Sequence, residues 1–254
     1  MPFFASHFSS HANHGFVPGR VVSESNEIYR LATEVGERTA EMAGRLRYLA
    51  EERADLPAVG DWVAAQIVGD GEHDLAILHA VLPRRTQLTR KAPGRRTEAQ
   101  IVAANVDTVF LLTSLNQDFN PRRLERYLAL VREGGGDPVV VLSKADLCAD
   151  PDAVRRAEAA VRTVAAETPV HAVSSLSGEG LDDLHPYLAR GRTVALLGSS
   201  GVGKSTLVNR LLGEERQAVR TIREGDDRGR HTTTRRQLIP LPGGALLLDT
   251  PGMR

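Results

Sequence analysis

The sequence predicts a small all-β, OB-like barrel followed by an α/β domain whose sheet is mostly parallel. Three observations predict it. Between Pro18 and about Thr89, short strand-like segments are broken by turns. From Asn105 onward, apolar runs alternate with helix signals. Within that second region GSSGVGKST, Gly198 to Thr206, joins an apolar strand to a helical segment.

Residues 1–16 are read as a tail. His7, His11 and His14 fall there at helical i, i+4, i+7 spacing, but no carboxylate accompanies them and no metal site is assigned. Residues 17–92 form the expected barrel. Its strand segments are Arg20 to Ser23, Glu27 to Thr33, Glu37 to Leu46, Gly60 to Val68 and Asp74 to Leu82, with Asp70-Gly71 as a hairpin signal. Short strands at this spacing suit an OB-fold, and the pattern alone suits an SH3-like barrel equally. Residues 93–254 form the second domain. VDTVFLLTSL, Val106 to Leu115, is a continuous apolar run, as a strand buried on both faces requires. Asn120-Pro121 and Asp150-Pro151 each supply a cap and a first-turn proline for the helices that follow. PVVVLSKADL, Val170 to Val173, Thr193 to Leu197 and Ala245 to Leu248 are further strands.

Composition excludes several classes. Hydrophobic residues at 41% provide a core and rule out a mainly disordered chain. Lys+Arg and Asp+Glu both number 32, so net charge favours neither nucleic acid nor membrane, and only local clusters can. Cys148 is the single cysteine, which excludes an intramolecular disulfide and a thiolate zinc site. No apolar run reaches the roughly 18 residues of a membrane span, and the first residues lack a signal-peptide pattern. Cytoplasm is the expected compartment.

The segment from Gly198 to Thr206 satisfies GxxxxGK[ST] between a strand and a helix. Gly198, Gly201 and Gly203 permit a tight turn, in which the backbone N–H groups of Ser199, Ser200, Val202 and their neighbours converge on phosphate oxygens. The helix that follows directs its partly positive end at the same anion. Lys204 would reach the β- and γ-phosphates, and Ser205 would ligate Mg²⁺, with Thr206 completing the motif. The bound molecule is therefore a nucleoside triphosphate.

Ser143-Lys144-Ala145-Asp146 closes an earlier strand. Guanine offers neighbouring N1–H and N2–H donors, which a carboxylate such as Asp146 accepts as a pair; adenine offers none. Lys144 would lie along the base with its aliphatic stem. Ser174-Ser175-Leu176 ends the next strand, where its loop can brace the base. Asp249-Thr250-Pro251-Gly252 follows ALLL, placing a carboxylate for the outer Mg²⁺ shell and the Gly252 N–H for the γ-phosphate. GRHTTT, Gly229 to Thr234, offers three hydroxyls for Mg²⁺. Sequence does not separate Thr232, Thr233 and Thr234; Thr233 is taken as the ligand, closing when the γ-phosphate is present. Met253, directly after DTPG, cannot donate or accept a useful hydrogen bond to an attacking water, so unassisted turnover is expected to be on the order of 10⁻⁴ to 10⁻³ per second. His231 is the internal candidate for orienting that water.

In this order, SKAD, SSL, GSSGVGKST, GRHTTT and DTPG resemble the signature regions of a GTPase whose sequence has been circularly permuted. With a barrel in front, the chain resembles the ribosome small subunit-dependent GTPase A (RsgA) family; VLPRRTQLTRK and AANVDTVFLLTSLNQDFNPRRLERYLAL are also similar to it. The resemblance implies GTP/GDP and Mg²⁺ as ligands, and a small ribosomal subunit with its rRNA as partner. It further implies a role in late subunit maturation, with slow intrinsic and ribosome-stimulated turnover by a monomer outside any membrane. Two departures stand out. Ser143 replaces the usual Asn or Thr and lacks the amide that bridges to the phosphate loop, so weaker nucleotide affinity is expected. The zinc domain implied for the family would follow DTPG, and its ligands are absent from this chain. Two basic runs, Arg84, Arg85, Arg90, Lys91, Arg95 and Arg96, then Arg216, Arg220, Arg223, Arg228, Arg230, Arg235 and Arg236, suit rRNA phosphates. The competing readings are an ATP-using P-loop enzyme and an RNA-binding module whose GTPase half has lost turnover.

Overall fold

The computed structural model describes residues 2–69, 75–91, 99–115, 120–148, 150–213 and 236–249. The hairpin signal Asp70-Gly71, the segment containing His231 to Thr234, and Thr250 to Arg254 lie outside them. Two compact units are present: Met1–Val106 with Arg235–Ile239, and Asp107–Thr234 with Pro240–Arg254.

In the first unit, residues expected as a tail form helix α1 (Pro2–Ala12). Phe4 explains the difference, because it is buried with its ring 5.7 Å from that of Trp62. Phe3 and Phe8, both half-buried, add to it, and tertiary packing of such side chains is what seats a short helix. Strands β1 (Val17–Ser25), β2 (Ile28–Thr33) and β3 (Gly36–Met42) follow. Helix α2 (Gly44–Leu49) occupies part of the segment read as strand, turning Leu46 onto the barrel interior. Strands β4 (Trp62–Val68) and β5 (Leu75–Val81) complete the barrel. β1 is antiparallel to β2 and β4, β2 to β3, and β4 to β5, while β3 and β5 run parallel. Each strand thus has two neighbours and no edge is left open. Val21, Tyr29, Leu31, Ala40, Val63, Ala65, Ala76 and Leu78 fill the interior, alternating with outward residues along their strands.

Tyr29 carries a pH signature. Burial, reinforced by the Glu24 and Glu27 charges, pushes its hydroxyl from 10.0 up to about 12. Because the folded value exceeds the unfolded one, the associated stability is intact below pH 10 and is lost as pH rises through about 12. Tyr29→Phe is expected to flatten the alkaline limb of a thermal-stability profile; an unchanged limb would refute this.

β6 (Gln87–Lys91) and β7 (Ala99–Ala104) form an antiparallel hairpin in the same unit. A short 3-10 turn, Arg53–Asp55, packs against β7. Gly60, at φ +96°, approaches the Ala104 carbonyl so closely that a Cβ would overlap its oxygen. Asp61 is fully buried and accepts from Arg84 through both oxygens, Nε to Oδ1 at 2.8 Å and Nη2 to Oδ2 at 2.7 Å.

The second unit contains β8 (Thr108–Ser114), α3 (Pro121–Glu133), β9 (Asp137–Ser143), α4 (Pro151–Val164), β10 (Val170–Val173), β11 (Thr193–Gly198) and α5 (Lys204–Leu212). Asn120 caps α3 by accepting from the Arg123 N–H at 3.1 Å, and Asp150 caps α4 by accepting from the Asp152 N–H at 2.8 Å. β12 (Gln237–Pro240) belongs through Ile239 to the first unit, where Gln237 pairs with Ser23 of β1. β13 (Leu246–Asp249) returns to the second.

The strand order there is β10-β9-β8-β11-β13, parallel at every junction. The first three strands wind outward in one direction, and the chain then crosses to the other side of β8. Such a reversal opens a crevice at the carboxyl ends of the two central strands. Those ends are Ser114 and Gly198.

Candidate functional site

All five strands are parallel, so the segments that follow β9, β10, β11 and β13 emerge at one edge of the sheet. SKAD, SSL, the phosphate loop and Asp249 are therefore gathered there, although they span more than a hundred positions of sequence.

Gly198 ends β11 against its neighbour. A Cβ there would lie 2.7 Å from the Leu112 carbonyl oxygen of β8 and 3.0 Å from Val202 Cγ1. Gly201 at φ +77° and Gly203 at φ +104° adopt the left-handed conformations the turn needs. Gly203 caps α5, and the first N–H groups of that helix have no intrahelical acceptor. Val202 is buried, whereas Ser200, Gly201, Ser205 and Thr206 are exposed. Lys204 folds back, donating from Nζ to the carbonyl oxygens of Gly198 and Ser199, each at 2.6 Å. Burial holds its ammonium below the usual lysine range, and the Asp249 carboxylate opposes that shift. A half-buried cation beside helix-end N–H groups is a donor set that fits an oligophosphate. Ser205 and the buried Asp249 add hard oxygen donors that fit Mg²⁺. Among the described residues, no group of three or more His, Cys, Asp or Glu side chains is placed to hold a metal.

The Ser143–Asp146 segment meets this loop directly. Ser143 Oγ donates to the Val202 carbonyl at 2.6 Å, and Lys144 Nζ donates to the Gly201 carbonyl at 2.8 Å. Lys144 takes φ +62°, turning the chain out of β9 into a 3-10 turn, Ala145–Leu147, on which Asp146 is exposed. A serine lacks the amide, but here its shorter hydroxyl spans to the loop without it. Ser143→Ala removes that bond and is expected to weaken GDP binding about five- to tenfold, matching roughly 1 kcal/mol for one hydrogen bond. A fluorescent-GDP titration checks it, and an unchanged Kd would show the bond to be idle.

Ser174 is fully buried and accepts from the Ser177 N–H at 3.0 Å, which shapes the loop after β10. Ser175 is half-buried, and Leu176 is 79% exposed, leaving its side chain open to a ligand. Sequence reading passed over Arg210 of α5. Its guanidinium lies against Gly178, where a Cβ would stand 2.9 Å from Nη2. Arg210 thereby joins the helix of the phosphate loop to the loop after β10; an exposed arginine late in a helix carries no sequence signal for that. Gly252, His231 and Thr233 fall outside the described residues.

The arginine runs divide as well. Arg84, grouped by sequence with rRNA-facing residues, is committed internally to Asp61 and to the carbonyl oxygens of Ala54 and Leu56, at 2.6 and 2.9 Å. Arg85 is exposed.

Residues 81–254 match the family model described as RsgA GTPase. The small ribosomal subunit biogenesis GTPase RsgA of Opitutus terrae is 51% identical, over 99% of this chain and 70% of its own length. The corresponding RsgA 2 of Lactiplantibacillus plantarum is 49% identical, over 94% of this chain and 66% of its own length. Among solved structures, YjeQ from Thermotoga maritima superposes with a TM-score of 0.69 at 26% identity, covering 93% of this chain and 75% of the other. YloQ, described as a circularly permuted GTPase, superposes at 0.64 with 25% identity, covering 95% and 73%.

Proposed function

The chain belongs to the RsgA GTPase family, and from that premise we propose that it docks in its GTP-bound form on the small ribosomal subunit. Docking occurs late in that subunit's maturation, and hydrolysis releases the protein. The two curated relatives carry small-subunit biogenesis in their names. The observation that carries the reading is the pair of bonds from Ser143 and Lys144 to the phosphate loop, because it brings a guanine-reading segment onto a triphosphate cradle.

In this reading, Asp146 accepts N1–H and N2–H of guanine, Lys144 lies along the base, and the Ser174–Leu176 loop closes over it. Lys204 exchanges its two loop carbonyls for β- and γ-phosphate oxygens, and the loop N–H groups hold the remainder. Ser205, Thr233 and Asp249 would hold Mg²⁺, which would supply neutralisation of the phosphate charge. His231 orients the attacking water, a role that Met253 cannot fill. Basic side chains of the barrel engage rRNA phosphates. The protein acts as a cytoplasmic monomer.

Phosphate release measured from GTP and from ATP, each with and without small subunits, tests the whole reading. GTP alone is expected to turn over at roughly 10⁻⁴ to 10⁻³ per second, faster with subunits, and ATP at neither. Comparable ATP turnover would favour an ATP-using enzyme, and nucleotide binding with no phosphate release even when subunits are added would favour an RNA-binding module. In the stimulated assay, an unchanged rate for His231→Ala would remove that residue from the mechanism.

A further inference from the structure

The barrel unit gathers three arginines around one hairpin. Arg90 lies on β6, paired with Gln100 of β7. Arg236 immediately precedes β12, and its guanidinium donates to the carbonyl of Ile101, the next residue along β7, at 3.4 Å. Arg53 sits on the 3-10 turn that packs against the same strand.

Three cations converging on one strand repel one another. Burial holds the Arg236 guanidinium below the usual arginine range; the Arg90 charge adds to this, Glu24 opposes it, and Arg53 adds again. Nε of Arg90 is buried and donates to nothing among the described residues. A buried, charged N–H without an acceptor is costly, and native structures rarely keep one without a use. Arg84 in the same unit shows the contrast, with Asp61 and two carbonyls taking its protons. Among the described residues, the arginine charges acting on Arg236 outnumber the Glu24 carboxylate that opposes them.

We propose that Arg53, Arg90 and Arg236 form a clamp for a backbone phosphate of RNA. Accessibility favours a polymer over a free ion. Arg53 is exposed while Arg90 and Arg236 are half-buried, so the cluster opens to solvent on one side, as a passing strand requires. The exposed Arg85 adds charge to the same unit. Guanidinium groups also suit phosphate oxygens, which they bind through two parallel N–H donors. The proposal rests on the RNA reading above but assigns it to residues.

The test uses the full chain and a labelled single-stranded RNA of about 16 nucleotides, titrated across a salt series. For the double variant Arg90→Gln/Arg236→Gln, affinity is expected to fall at least tenfold, with the slope of log K against log salt shallower by about 0.7, the loss of one phosphate contact on a single strand. The same variant should keep its GDP affinity and melt no lower than the parent, because repulsion is relieved. Misfolding would move both the other way. Arg53→Gln, on an exposed side chain, should give a smaller loss in the same direction. Equal RNA affinity for parent and variant would overturn the clamp while leaving the RNA reading intact. Failure of the parent itself to bind RNA at low salt would overturn both. Displacement of the RNA by inorganic phosphate at constant ionic strength would make this a free-ion site and overturn the clamp.

Discussion

Replacing Asp146 by asparagine is expected to weaken GTP and GDP binding by roughly 10⁴-fold, a larger functional effect than any other single substitution in the site should produce. Two linked causes account for the size. In the proposed reading the carboxylate accepts both guanine donors, so its removal would lose a charge-assisted pair. The asparagine amide also directs an N–H toward donors that already point at it. Xanthine carries an oxygen where guanine carries its amine, so the variant should bind xanthosine diphosphate better than GDP. Competition binding with both nucleotides reads this directly. An unchanged ranking would mean that Asp146, exposed on its 3-10 turn, never faces a base.

The second large effect lies in the barrel. Among the described residues, Asp61→Ala leaves the Arg84 guanidinium with the Ala54 and Leu56 carbonyls, in a site where the carboxylate side chain is 0% exposed and the arginine 13%. It also frees the Ala58 N–H, now bonded to Oδ2 at 2.8 Å. Breaking one side of a buried pair costs about 3–5 kcal/mol, a large fraction of the roughly 5–15 kcal/mol that keeps an ordinary domain folded. Chemical denaturation should show that loss. Replacing both partners with apolar residues of similar volume should cost much less, because the penalty comes from the orphaned charge rather than from the pair itself. Equal losses for the single and double changes would contradict this account. The pair also shows why a cluster of arginines in sequence does not define an RNA-binding face.

Local pattern was sufficient for many elements. The apolar runs of β8 and β9, the Asn120-Pro121 and Asp150-Pro151 helix starts, and the glycine spacing of the phosphate loop all report interactions between residues a few positions apart. Those interactions are written in composition and spacing, so the α/β character of the second unit and its glycine-rich loop between strand and helix are legible without tertiary contacts. The resemblance to a GTPase family added the partner and the permuted order, which spacing alone could not supply.

Tertiary structure decided what depends on residues distant in sequence. The parallel pairing of β3 with β5 closed the barrel in a way that strand count left open. A strand order that reverses beside β8 carried Ser143 and Lys144 to a loop more than fifty positions away, where the Ser143 hydroxyl met the Val202 carbonyl. Phe4 made a helix of a tail, and Asp61 took Arg84 out of the exposed charge. The physical reason is common to all four. A side chain's type states which partners it can satisfy, but burial and pairing are settled only when the chain folds and distant groups compete for the same acceptor.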